Sequence, residues 1–185
     1  MEEPHIFFLD GASGAGKTTL ALAVAARRSD IALIPRFTTR PKRADADERE
    51  YVFISRAEFD AMKKSDDFVE YRDYDFDMSY GLPIALIRNA LKSGKHALAI
   101  INLGRIKVAQ SRCPEAISIL VDVPIPILRS RLTERGVHSE AQLKERLENA
   151  ASVDKYRDAY DRILLNVGEP AKAIAELDSI IEEYS

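Results

Sequence analysis

His5–Arg28 reads HIFFLDGASGAGKTTLALAVAARR, and the fold of the chain turns on this stretch. His5–Asp10 is a short apolar run that reads as a buried strand. Thr18–Arg28 is rich in Ala and Leu and closes on basic residues, as a helix does. Between them, Gly11-Ala12-Ser13-Gly14-Ala15-Gly16-Lys17-Thr18 fits G-x-x-x-x-G-K-[ST] at every fixed position. The glycines permit backbone angles that turn successive N–H groups toward one anion, and the helix adds its positive N-terminal end. A strand before the motif and a helix after it are the context it requires. Gly11, Ser13, Gly14, Ala15, Gly16, Lys17, Thr18 and Thr19 are therefore assigned to the phosphates of a nucleoside triphosphate, ATP. Lys17 is expected to bridge the β- and γ-phosphates, and the Thr18 hydroxyl to be a ligand of Mg2+.

Outward from this motif, strand-like runs alternate with helical ones. Ile31–Ile34, Ala97–Ile101, Ile117–Val123 and Ile163–Asn166 are apolar and suit interior parallel strands, and Tyr51–Ile54 is a further short strand signal. Helices are expected over Arg56–Lys64, Pro83–Ser93 (ended by Gly94), Pro126–Gly136, Ser139–Ala151 and Ala171–Tyr184. Residues 35–50 are polar and lack a period, and read as loop or edge structure. The pattern implies an α/β, three-layer P-loop NTPase fold with a parallel sheet core. It reads as one domain of 185 residues. The core is expected over 1–34 and 84–185, a small inserted acceptor-binding lobe over about 35–83, and a helical lid over about 131–150.

The formal net charge of −3 argues against a general nucleic-acid binder. A single cysteine, Cys113, fits a reducing cytoplasm, and no apolar run reaches the length of a membrane span. His5, His96 and His138 lack ligand spacing, so no metal-ligating cluster is expected. The acidic balance makes one local feature stand out. Arg36-Phe37-Thr38-Thr39-Arg40-Pro41-Lys42-Arg43 places four cations within eight residues, directly after the second strand. Arginine suits bidentate capture of phosphate, so this is a candidate second anion site.

Read together, GASGAGKTT (11–19), TTRPKR (38–43), EYVFISRAEF (50–59), FVEY (68–71), SYG (79–81), RSRLTERG (129–136), KERLENA (144–150) and ILLN (163–166) resemble the guanylate kinase family, in order over nearly the whole chain. The resemblance implies that Arg40, Arg43, Tyr51 and Tyr80 bind the phosphate of the acceptor. It implies that Glu70 accepts hydrogen bonds from the N1 and N2 edge of guanine, a donor pair that adenine and pyrimidines lack. Arg131, Arg135 and Arg146 would close from the lid on the transferring phosphates, and Asn166 would meet the adenine of ATP.

The chain departs from that family at Arg36 and Leu82, where guanine-reading hydroxyls are usual, and at Ile100 and Asn102, where D-x-D is usual. Arg36–Pro41 and the Asn102-x-x-Arg105 element also resemble the ribose 1,5-bisphosphate phosphokinases, for which Arg36, Asn102 and Arg105 would be acceptor contacts. The expected reaction is therefore transfer of the γ-phosphoryl group of ATP to a small phosphorylated acceptor, GMP in the leading reading and ribose 1,5-bisphosphate in the alternative. A non-catalytic binding module would show a degraded phosphate loop, and a regulatory NTPase a switch-type Gln. Neither feature is present. The expected assembly is a monomer or homodimer, without nucleic acid or membrane as partner.

Overall fold

A computed structural model describes residues 3–42, 49–74, 78–134, 136 and 139–184. Five parallel strands form the core sheet: β1 (Ile6–Asp10), β2 (Ile31–Ile34), β7 (His96–Ile100), β8 (Ile117–Asp122) and β9 (Arg162–Leu165), in the order β2-β7-β1-β8-β9. β1 lies in the middle with every residue buried, which explains why it reads as an unbroken apolar run. Its side chains alternate between two apolar layers. Phe7 and Leu9 pack with α1 (Lys17–Arg27) and α7 (Pro170–Glu182), through Leu20, Val24, Ile174 and Leu177. Ile6 and Phe8 pack on the other face with α3 (Ile84–Lys92) and α4 (Ile106–Arg112), through Ile87 and Ile106.

A second, four-stranded sheet has the order β4-β3-β6-β5. Its strands are β3 (Arg36–Thr38), β4 (Tyr51–Phe53), β5 (Phe68–Tyr74) and β6 (Met78–Pro83). β3 pairs parallel with β4 and antiparallel with β6, which places Arg36 opposite Tyr51 and Thr38 opposite Tyr80. The expectation of loop or edge structure over 35–50 is thus corrected for 36–38, an interior strand of this sheet. At three residues, RFT, it is too short and too mixed in polarity to carry a hydropathy signal. α2 (Arg56–Lys64) flanks the sheet behind a capping box in which Ser55 and Glu58 exchange hydrogen bonds.

β5, β6, α4 and a 3-10 helix (Ser152–Ala159) are elements that periodicity did not mark. β5 carries a pairing irregularity between Phe68 and Glu70, and Phe68, Val69 and Glu70 are all buried in succession. Such a bulge re-aims a side chain, and here it brings a carboxylate inside. α5 (Ile125–Glu134) and α6 (Glu140–Ala151) complete the chain, the latter capped by Ser139.

Candidate active site

The site lies outside the carboxyl ends of the core strands, where open parallel sheets bind ligands. The backbone leaves β1 through Gly11 and reaches α1 through Gly16, which has φ 93°. A Cβ at Gly16 would stand 2.5 Å from Asn166 Nδ2, and one at Gly11 would stand 2.4 Å from the Val121 carbonyl oxygen. Only glycine fits either place. Lys17 Nζ donates to the carbonyls of Gly11 at 2.6 Å and Ala12 at 3.0 Å, arching over the loop it belongs to.

Three of the expected nucleotide contacts come together around this loop. Asn166, just past β9, donates from Nδ2 to the Ala15 carbonyl at 2.7 Å, and its Oδ1 is buried with no hydrogen-bond partner. Arg131 of α5 donates to the Asn166 carbonyl at 3.1 Å, and Arg146 of α6 donates to Ser13 Oγ at 2.6 Å. Gly14, Gly16, Thr19, Arg131 and Asn166 help line a cleft of about 380 Å³. Arg135 lies outside the described residues.

The second sheet gathers guanidinium groups and aromatic rings. Arg36 stands 4.9 Å from the Tyr51 ring centroid and 5.8 Å from that of Tyr80, and Arg40 stands 5.2 Å from Tyr51. Nε of Arg36, of Arg40 and of Arg105 is buried without a hydrogen-bond partner. Buried donors are nearly always satisfied, so three orphaned guanidinium nitrogens fit a site built for an anion. Arg43 lies outside the described residues.

Glu70 is 1% exposed and, among the described residues, accepts its hydrogen bonds from Asn102. Asn102, following β7, donates to it from the backbone N–H at 3.0 Å and from Nδ2 at 3.0 and 2.9 Å. Burial raises the Glu70 pKa above its ordinary value, while the Asn102 donors and the charges of Arg36 and Arg105 pull the other way. Asn102 thus holds the carboxylate from the core, a role that its chain position alone did not suggest.

Two residues missed by sequence reasoning complete the picture. Glu50, one residue before Tyr51, accepts from the Thr18 hydroxyl at 3.0 Å and from Arg36 at 3.1 Å. Arg36 also donates to the Tyr51 hydroxyl at 2.5 Å. Asp10, fully buried at the end of β1, accepts from the Gly11 N–H at 2.6 Å and the Tyr160 hydroxyl at 2.6 Å. Burial raises its pKa, and burial with the neighbouring carboxylate raises that of Tyr160. Neither carboxylate carries a motif: Glu50 meets Thr18, and Asp10 meets Tyr160, only across a long stretch of chain. Asp122 ends β8 and pairs with Arg157, and Cys113 is a buried thiol after α4 whose pKa burial pushes up to about 11. Among the described residues no group of three His, Cys, Asp or Glu is placed to hold a metal ion, and no helix is long and apolar enough to cross a membrane.

The sequence model of the guanylate kinase family matches residues 3–184. The chain belongs to this family. The guanylate kinase of Rhodopseudomonas palustris (strain BisB5) is 33% identical over 186 residues, covering 96% of this chain and 84% of the relative. That of Novosphingobium aromaticivorans is 34% identical over 164 residues, covering 87% and 74%. A crystal structure of guanylate kinase from Anaplasma phagocytophilum superposes with a TM-score of 0.74 at 22% identity, covering 98% of this chain and 86% of that one. At that identity the superposition speaks for the fold: the P-loop α/β architecture is that of guanylate kinases.

Proposed function

We propose that this chain transfers the γ-phosphoryl group of ATP to GMP, forming ADP and GDP. The observation that carries this reading is the cluster at the second sheet, linked to the phosphate loop through Glu50 and Thr18, where a buried carboxylate, Glu70, stands near guanidinium groups whose Nε atoms lack partners. The acceptor nucleophile is already an anionic phosphate oxygen, so no general base is required. The chain's own work is positioning and charge stabilisation.

In this reading the N–H groups of Gly11–Thr18 cradle the ATP phosphates, and Lys17 Nζ leaves the loop carbonyls for the β- and γ-phosphates. The unpartnered Asn166 Oδ1 accepts from the exocyclic amine of adenine. Arg40, Arg43, Tyr51 and Tyr80 take the GMP phosphate, and Glu70 takes the N1 and N2 donors of guanine. Arg131, Arg135 and Arg146 supply cations to the phosphoryl group in flight and exclude water as the lid over about 131–150 closes against the core. Thr18 offers a hydroxyl oxygen suited to Mg2+, with a carboxylate 3.0 Å from it. Bound there with the ATP phosphates and water, the cation would neutralise charge on the transferring group.

The relatives named above are guanylate kinases, and the comparisons lend no support to the ribose 1,5-bisphosphate alternative. Arg36, the extra cation that favoured it, is engaged by Glu50 and Tyr51. The testing experiment offers GMP, dGMP, AMP, CMP, UMP and ribose 1,5-bisphosphate with Mg-ATP and scores ADP release. Turnover on GMP well above the others is expected. Turnover confined to the ribose bisphosphate would overturn the proposal.

A further inference from the structure

We infer that Glu50 is a positioning residue for the magnesium site, supplied by the acceptor-binding side of the molecule in place of a carboxylate from the core sheet. The inference rests on the reading of Thr18 as the metal ligand. One oxygen of Glu50, Oε1, accepts from the Thr18 hydroxyl at 3.0 Å and from the Arg36 guanidinium at 3.1 Å. A hydroxyl that donates its proton to a carboxylate leaves its lone pairs for a cation, and its oxygen becomes a better ligand. The Glu50 side chain is 15% exposed, so the pair is sheltered from water.

The core strands leave this role open. Asp10, at the end of β1, is occupied by the Gly11 N–H and the Tyr160 hydroxyl. Asp122, at the end of β8, pairs with Arg157. At the end of β7 stand Ile100 and, beyond it, Asn102, whose amide faces Glu70. Glu50 is the carboxylate for which a hydrogen bond to Thr18 is observed. Residues 50 and 18 belong to different sheets' surroundings: Glu50 precedes β4, and its backbone carbonyl accepts from the Arg36 N–H at 2.9 Å. The metal ligand of the ATP site and the wall of the acceptor pocket therefore share one side chain.

The test uses Mn2+ as a spectroscopic stand-in for Mg2+ and a non-hydrolysable ATP analogue with an imido bridge between its β- and γ-phosphorus atoms. Paramagnetic resonance counts free Mn2+ during titration of the full-length protein with the analogue bound. Glu50→Gln should weaken Mn2+ about tenfold, at the lower end of the range for lost outer partners of a metal ligand. Metal-free binding of the analogue should stay unchanged. Glu50→Asp keeps the charge and the pairing with Arg36, and should lose less Mn2+ affinity than Glu50→Gln. Equal Mn2+ affinity in the wild type and Glu50→Gln overturns the proposal. So does a parallel loss of analogue binding with and without metal, which would mark a merely structural role. No acceptor is present in the titration, so a failure of the GMP assignment, read by the acceptor panel, is told apart from a failure here.

Discussion

Glu70 and Asn102 form a polar joint between the two sheets: one carboxylate receives a backbone N–H and a side-chain amide from the same residue, all within 3.0 Å. The joint ties the bulged strand β5 to the end of β7. Burial outweighs these hydrogen bonds and the charges of Arg36 and Arg105, so the Glu70 pKa is raised. That balance has measurable consequences, for Glu70 and for the groups around it.

A carboxyl whose pKa is raised in the folded chain holds its proton over a range in which the unfolded chain has ionised. The folded state therefore loses stability as pH rises through that range. For Glu70 the range begins at 4.5, its ordinary value, and extends upward. Urea unfolding of the wild type and Glu70→Gln from about pH 4 to pH 8 should show the wild type losing ground to the variant as pH rises. A difference that moved the other way would sink this account of the buried carboxylate.

Lys17→Ala should lower turnover by about a hundredfold or more, the scale for removing a preorganised charge from a transition state. The far-UV circular dichroism should not change, since the Lys17 ammonium bonds its own loop. Turnover close to the wild-type value would contradict the assignment of the loop to phosphoryl transfer.

Arg40→Ala should raise KM for the acceptor about ten- to a hundredfold, the loss of one hydrogen bond to a charged group. KM for ATP should hold. Initial-rate kinetics with each substrate varied in turn separate the two, and an effect confined to ATP would remove Arg40 from the acceptor pocket.

Tyr160→Phe takes from the fully buried Asp10 one of its donors. A loss of about 1–3 kcal/mol is expected, because the hydroxyl leaves behind a carboxylate that water cannot reach. Chemical denaturation measures it. Unchanged stability would mean that the Gly11 N–H and the Lys17 charge suffice to hold Asp10.

Much of the core was legible in the chain. β1, β7 and β8 are buried along nearly their whole length, so their sequences are mostly apolar and announce themselves without alignment. Leu177, Ile180 and Ile181 recur at helical spacing and are buried as expected. The second sheet was harder to read. β3 (RFT) and β6 (MSYGLP) mix polar with apolar residues, and the buried Thr38 and Ser79 break any simple alternation of polar with exposed. β5 was hidden further by its bulge, which places three buried residues in a row.

The sequence by itself determined the phosphate loop, because its glycines and its Lys-Thr pair act through neighbouring backbone and need no distant partner. It also determined the parallel α/β core, because burial on both faces leaves a compositional trace. Only the tertiary structure decided which carboxylates serve the site. Glu50 reaches Thr18 across 32 residues, Asn102 reaches Glu70 across 32, and Tyr160 reaches Asp10 across 150. A hydrogen bond between side chains depends on where two strands end in space, and no local pattern in the chain records that.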